Sequence, residues 1–173
     1  ISSRRLISKL QTDEDGNYLV TLPAGKDYAF NVNRKGYLFY SDNFSLIDNN
    51  IDSSLVINIP LQPIETGASI VLKNIFFDVN KFQLKQESLV ELDKLVMLLI
   101  DNPKLKIQIS GHTDNVGKDA DNLALSLNRA KAVMGYLLSK GVDPKRINSK
   151  GYGATKPISV NDTEAGRSLN RRT

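Results

Sequence analysis

The chain has 173 residues, a formal net charge of +4 and no cysteine, which excludes disulfide scaffolds, thiolate metal sites and cysteine nucleophiles. Its one histidine, His112, excludes a multi-histidine metal centre. Apolar residues make up 40%, enough for packed cores and against disorder, while Lys and Arg are spread along the chain instead of forming the clustered stripe that nucleic-acid binding calls for.

The length suits one ordinary domain or two small ones. No apolar run reaches the ~18 residues of a membrane-spanning helix, so membrane association is expected only through parts outside this chain. The sequence begins at Ile1 without a signal-peptide pattern and reads as a fragment of a longer protein.

From Ile1 to about Leu61 the texture is short alternating runs broken by turn residues. Asp15-Gly16 is a hairpin signal leading into Tyr18–Leu22, read as a strand. Pro23-Ala24-Gly25 turns the chain. Tyr28–Asn33 alternates with period two, which puts Tyr28, Phe30 and Val32 on one face. Gly36 breaks this pattern, Tyr37–Tyr40 is a further strand, and Leu55–Ile59 is a last one before Pro60. Short strands at this spacing predict a small all-β sandwich over residues 1–62. Tyr37, Phe39 and Tyr40 are either its core aromatics or an exposed patch for glycan or protein. Asp15-Gly16-Asn17-Tyr18, Leu22-Pro23-Ala24-Gly25, the Tyr28–Val32 run and Gly36-Tyr37 resemble the carboxypeptidase regulatory-like, or prealbumin-like, module. The resemblance implies a structural spacer or docking unit, truncated here, whose opening strands would lie upstream of Ile1.

Pro60, Pro63 and Gly67 punctuate a link, and residues 63–173 are expected to form a second domain. Ile70–Phe77 reads as a mostly apolar, central strand. Leu84–Ile100 carries Leu89, Leu92, Val96 and Leu99 at helical spacing, stopped by Asn102-Pro103. Lys106–Ser110 is the next strand. A second helix runs from about Asp119 to Lys140, with an apolar face of Leu123, Leu127, Ala130, Val133, Met134 and Leu137, and ends at Gly141. Arg146–Lys150 is a third strand and Glu164–Asn170 a short helical turn. Strand and helix alternate, so helices pack on a mixed sheet and the whole chain is α+β.

The stretch Gly111–Arg129 concentrates the chemistry. Asn122, Ser126 and Arg129 stand at i, i+4 and i+7 on one helix stripe, and Asp114 closes the preceding strand and loop. A carboxylate and a guanidinium held apart suit a ligand with both an ammonium and a carboxylate. The same residues also suit a turn in which Asp114 binds nearby backbone N–H groups, with Arg129 paired to Asp121 at the surface. His112 reads as a structural histidine. No catalytic constellation, nucleophile elbow or phosphate loop is present, and Gly151-Tyr152-Gly153 lacks the rest of a dinucleotide fingerprint.

At these residues the chain resembles the OmpA-like C-terminal domain. The resemblance rests on Ile75–Asn80, on Gly111–Gly117, and on Asn122, Leu125, Ser126, Arg129, Ala130 and Val133. It continues through Gly151-Tyr152-Gly153, Pro157, Asn161, Gly166-Arg167 and Asn170-Arg171-Arg172. It implies a non-enzymatic module, without cofactor or metal, that binds the diaminopimelate of peptidoglycan stem peptides in the periplasm, at the outer membrane and cell wall. It implies that Asp114 takes the ammonium and Arg129 the carboxylate. Thr113, Asn122, Leu125 and Ser126 would shape the pocket, Asn80 would border it, and Asn170 and Arg171 would support it from behind. Members of the family continue past Asn-Arg-Arg into a last strand, expected here beyond Thr173. A sandwich followed by this domain resembles Bacteroidetes-type envelope proteins and lipoproteins with further envelope protein partners. The alternative is a protein–protein module in an outer-membrane or secretion assembly.

Overall fold

The computed structural model describes residues 7–47 and 55–173; the parts of the expected N-terminal module at 1–6 and 48–54 lie outside them. In chain order the elements are β1 (Asp27–Val32), β2 (Tyr40–Ser45), α1 (Leu89–Asp101), β3 (Ile107–Gly111), α2 (Asp119–Ser139), β4 (Ile147–Gly151) and α3 (Glu164–Asn170). Two compact units result, Ile1–Phe30 with Asn43–Ile57 and Asn31–Asp42 with Asn58–Thr173. Among the described residues, no helix is long and apolar enough to cross a membrane.

The alternating run does form β1, which pairs with β2 in a two-stranded sheet. Tyr28 is buried, stacks on Phe44 at 5.6 Å and donates its hydroxyl to the Pro23 carbonyl at 2.6 Å. Phe30 meets the same Phe44 ring edge-on. The small all-β sandwich is not seen among the described residues. Tyr18–Leu22 and Leu55–Ile59 form no strands. Among the described residues neither run joins a strand ladder; Tyr18 donates its hydroxyl to the Ile57 carbonyl at 2.8 Å, while Leu19 and Val56 stand 86% and 78% exposed.

The second unit holds the main core. Of the three aromatics expected in the sandwich or on a patch, Phe39 belongs to this core, packed in one cluster with Leu72, Leu92 and Leu99. Tyr37 makes an isolated antiparallel bridge with Pro63, and the strand starts only at Tyr40. Ile70–Phe77 contributes buried Leu72 but is not a strand. It is pinned at single points: Leu72 N–H donates to the Thr173 carbonyl and Phe76 N–H to the Ser88 hydroxyl. Without a continuous ladder on either side, an apolar run is a packed segment and not a sheet member.

Of the predicted stripe α1 buries Leu92, Val96 and Leu99 and leaves Leu89 half-buried; Leu95 beside them is buried too, and Met97 and Ile100 are exposed. Its C-terminal carbonyls are closed off by Arg146, whose guanidinium donates to Leu99 at 2.7 Å, Asn102 at 2.8 Å and Leu105 at 3.0 Å. Glu91, 2% exposed, is satisfied by Lys94 Nζ at 2.8 Å and Ser41 Oγ at 3.0 Å.

β3, α2 and β4 form a βαβ unit with the strands parallel and in register from Ile107 opposite Ile147 to Gly111 opposite Gly151. The buried stripe of α2 is Asn122, Ser126, Ala130, Val133 and Leu137, polar at its N-terminal end and apolar at its C-terminal end. Leu123, expected on the apolar face, is 50% exposed instead. The reason is in the strands. A Cβ on Gly111 would lie 2.0 Å from the Ser126 carbonyl oxygen, and one on Gly151 would lie 2.5 Å from the Leu127 nitrogen. Only glycine lets the helix backbone come this close, and at that distance only a small residue such as Ser126 fits the helix side. We expect Gly111→Ala to lower unfolding stability by about 3 kcal/mol, because the clash is with backbone that cannot swing away. Urea unfolding followed by circular dichroism measures it.

Candidate ligand-binding site

β3 delivers the chain at Gly111 into the loop 112–118, where His112, Thr113, Asp114 and Val116 are held by hydrogen bonds. Thr113 N–H donates to the Gly153 carbonyl at 3.0 Å, and its hydroxyl to the Asp114 carbonyl at 2.8 Å. Asp114 Oδ1 accepts from the Val116 N–H at 3.0 Å, the self-binding turn that its sequence permits. Gly117 supplies the positive φ of +98° that lets the chain turn into α2. Asn122, one turn into α2, reaches back with Nδ2 to the Val116 carbonyl at 3.0 Å and the Asp114 carbonyl at 3.5 Å. Asp114 is thus fixed and nearly buried, at 8% exposure.

Arg129 lies two turns further along α2. It does not pair with Asp121. Nε donates to the Lys81 carbonyl at 3.0 Å and Nη2 to the Asp78 carbonyl at 3.3 Å, and its guanidinium lies 4.9 Å from the centre of the Phe77 ring. Those carbonyls are presented by a turn in which Lys81 N–H bonds to Asp78 O, with Asn80 at φ +56°. Asn is among the few side chains that accept this left-handed backbone. Among the described residues no carboxylate forms an ion pair with Arg129. Burial holds its pKa below the usual guanidinium value and the Arg171 charge adds to this, while Asp114 acts in the opposite sense. Arg129 is therefore a partly desolvated cation placed to gain from an incoming anion.

The C-terminal segment closes the site. Asn170 is completely buried: its Oδ1 accepts from Ile158 and Ser159 N–H, and its Nδ2 donates to Ser159 O and Asn161 Oδ1. That fastens the 158–161 loop to the end of α3 and fixes the direction in which Arg171 leaves it. Arg171 Nη1 donates to Asp114 Oδ2 at 2.6 Å and Nη2 to Glu164 Oε1 at 2.6 Å. Its pKa is raised, first by Asp114 and then by Glu164. A cavity of about 250 Å³ lies beside Arg129, Arg171, His112 and Phe77. Asp114 is not among its lining residues.

His112 lies against this wall. Its ring stacks on Tyr152 at 5.2 Å with the planes 8° apart, its backbone N–H donates to the Arg172 carbonyl, and its Nδ1 is buried without a hydrogen-bond partner among the described residues. Burial, followed by the charges of Arg172 and Lys156, pushes its pKa down to about 4. It is a neutral, packed ring at physiological pH.

Hydrogen bonds join Asp114 to Thr113, Asn122 and Arg171, Arg129 lies within reach of the charges of Asp114 and Arg171, and Asn80 shapes the turn that grips Arg129. Ser126 is elsewhere: fully buried, it accepts from the Gly153 N–H at 2.9 Å and donates to Leu123 O, so its hydroxyl is used in the helix–strand seam. Leu125 is half-buried on α2. Sequence reasoning missed Phe77, the carbonyls of Asp78 and Lys81, and Glu164. Of these only Phe77 carried a signal, as the last aromatic before a turn. Among the described residues there is no cluster of His, Asp or Glu able to hold a metal ion.

The sequence profile of the OmpA family matches residues 76–171, more than half of the chain. The chain belongs to the OmpA family. Outer membrane porin F of Pseudomonas fluorescens is 41% identical to it over 96 residues, which is 56% of this chain and 29% of that protein. Motility protein B of Bacillus subtilis is 40% identical over 112 residues, 61% of this chain and 43% of that protein. The chain thus spans less than half the length of either relative. Among solved structures, the peptidoglycan-associated lipoprotein from Burkholderia pseudomallei superposes with a TM-score of 0.53 at 31% identity, covering 57% of this chain and 83% of that one. The OmpA-family portion is therefore the mixed α/β part that carries the site.

His112 gives a pH test. Its folded pKa is depressed, so between about 6.5 and about 4 the unfolded chain takes up a proton that the native ring refuses. We expect the part of the stability curve owed to His112 to fall as pH is lowered through that window. His112→Phe, which keeps the stack on Tyr152, removes that part of the slope. Urea midpoints of both proteins between pH 4 and pH 7 read it, alongside a ring-proton titration of His112 by NMR.

Proposed function

We propose that this OmpA-family domain binds peptidoglycan by gripping diaminopimelate in the stem peptide, and that it is a binding module rather than an enzyme. One observation carries the reading: Arg129 is a partly desolvated guanidinium, braced by two backbone carbonyls and the Phe77 ring, unpaired with any described carboxylate, and close enough to Asp114 to feel its charge. A braced cation beside a braced anion favours a small zwitterion. The free end of a diaminopimelate side chain carries an ammonium and a carboxylate on one carbon. In this reading Asp114 accepts from the ammonium and Arg129 donates its fork to the carboxylate, with Thr113 and Asn122 holding the loop and Asn80 the turn. Leu125 flanks the ligand, and Ser126 serves by setting the distance between α2 and the strands.

The comparisons support this at a coarser level. The Burkholderia relative is described as peptidoglycan-associated, and a type VI secretion cell wall anchor from Pseudomonas aeruginosa superposes with a TM-score of 0.52 at 26% identity. We place the domain accordingly in the periplasm at the cell wall. In the same proposal residues 1–62 act as a spacer in front of a wall-binding domain at 63–173, and outer-membrane or lipoprotein attachment belongs to the rest of the parent protein. A single small zwitterion gives weak binding per site, and repeated sites on the polymer raise retention.

The test is co-sedimentation with purified sacculi. Wild type is expected to pellet; Arg129→Ala and Asp114→Asn are expected to weaken binding about 10- to 100-fold, the loss of one charge-assisted contact. Sacculi whose stem peptides carry lysine, which lacks the side-chain carboxylate, are expected to bind as poorly as Arg129→Ala binds diaminopimelate sacculi. Full binding by folded Arg129→Ala contradicts the assignment.

A further inference from the structure

Arg171 and Glu164 form a chain of alternating charge behind Asp114 that the sequence did not announce. Asp114 Oδ2 holds Arg171 Nη1 at 2.6 Å, and Arg171 Nη2 holds Glu164 Oε1 at 2.6 Å. Glu164 Oε2 accepts from Arg167 Nη2 at 2.9 Å and Nε at 3.1 Å, and Arg167 Nη1 donates to the Asn161 carbonyl at 2.9 Å. Burial grades along the chain, with side-chain exposure rising from 11% at Asp114 through 36% at Arg171 to 68% at Glu164.

This geometry leaves a problem for any ammonium that approaches Asp114. Oδ1 is engaged by the Val116 N–H and Oδ2 by Arg171. An ammonium at Oδ2 meets a second cation there, in a nearly buried place where like charges are poorly screened. Arg171 cannot retreat toward Arg129, whose own charge opposes it. Among the described residues, Glu164 is the one carboxylate besides Asp114 with which it pairs.

The geometry points to Arg171 as an internal occupant of the ammonium position on Asp114, with Glu164 as the positioning residue that draws Arg171 aside when a ligand ammonium arrives. The inference rests on the diaminopimelate reading of the site. Glu164 then sets how strongly the site responds to the amine of its ligand, without touching the ligand. Removing Glu164 leaves Arg171 with Asp114 alone, and the ammonium competes against a tighter ion pair. Removing Arg171 frees Oδ2 and makes Glu164 irrelevant.

The experiment is a double-mutant cycle in the full chain. Binding of a diaminopimelate-containing stem tripeptide is measured by isothermal titration calorimetry for wild type, Glu164→Gln, Arg171→Gln and the double variant. We expect Glu164→Gln to bind about fivefold or more weakly, Arg171→Gln to bind at least as well as wild type, and the double variant to match Arg171→Gln, since residues in one ion-pair network are not additive. Glu164→Asp, which keeps the charge, is expected to recover most of the affinity. Where Arg171→Gln does not fold, Arg171→Lys replaces it, because one ammonium on a shorter reach does not bridge both carboxylates. Unchanged binding by Glu164→Gln, or an equal loss on removing Glu164 with and without Arg171, overturns this inference alone. No binding by wild type overturns the diaminopimelate reading and this inference with it.

Discussion

A side chain on Gly111 would stand 2.0 Å from the backbone of Ser126, and one on Gly151 would stand 2.5 Å from that of Leu127. This close passage of α2 over the ends of β3 and β4 fixes the rest of the site. It buries Ser126 and turns Asn122 toward the loop after β3, where it holds the carbonyls of Val116 and Asp114. It also sends Arg129 away from its own helix surface and onto the turn at 78–81. A helix standing further off would leave Asp114 in a loose loop and Arg129 in solvent, where a cation and an anion contribute little to binding.

Around that passage the charges are arranged unevenly. Asp114 is bound by a backbone N–H and by Arg171, whereas among the described residues Arg129 is braced only by neutral groups and an aromatic ring. The anion of the site is already compensated and the cation is not. A ligand carboxylate therefore gains most at Arg129, while the ammonium enters a shared position. Such an arrangement favours ligands carrying both groups over simple amines, and it draws the C-terminal segment into recognition.

Much of the second unit was legible because its elements are local. The periods of α1 and α2, the stop at Asn102-Pro103 and the strand at Ile107 follow from spacing alone, and the stripe Asn122, Ser126, Arg129 led to the site. What failed depended on partners remote in sequence. Ile70–Phe77 and Tyr18–Leu22 have strand patterns, but a strand exists only where another chain segment meets its backbone. Phe39 looked like part of a small sandwich and instead fills the core beside Leu72 and Leu92. Ser126, to which the family resemblance gave a place in the pocket, is the small residue opposite two glycines in the helix–strand seam, a role its polarity does not announce. Glu164 carried no pattern, since its meaning comes from Arg171 seven residues on and from Asp114 across the fold.

The most direct measurement of the central claim is a structure of the protein with a diaminopimelate-containing stem tripeptide. The account predicts the side-chain carboxylate on the Arg129 guanidinium and the ammonium on Asp114, with Arg171 shifted toward Glu164. A tripeptide bound anywhere else, with Arg129 still held only by the carbonyls of Asp78 and Lys81, contradicts it.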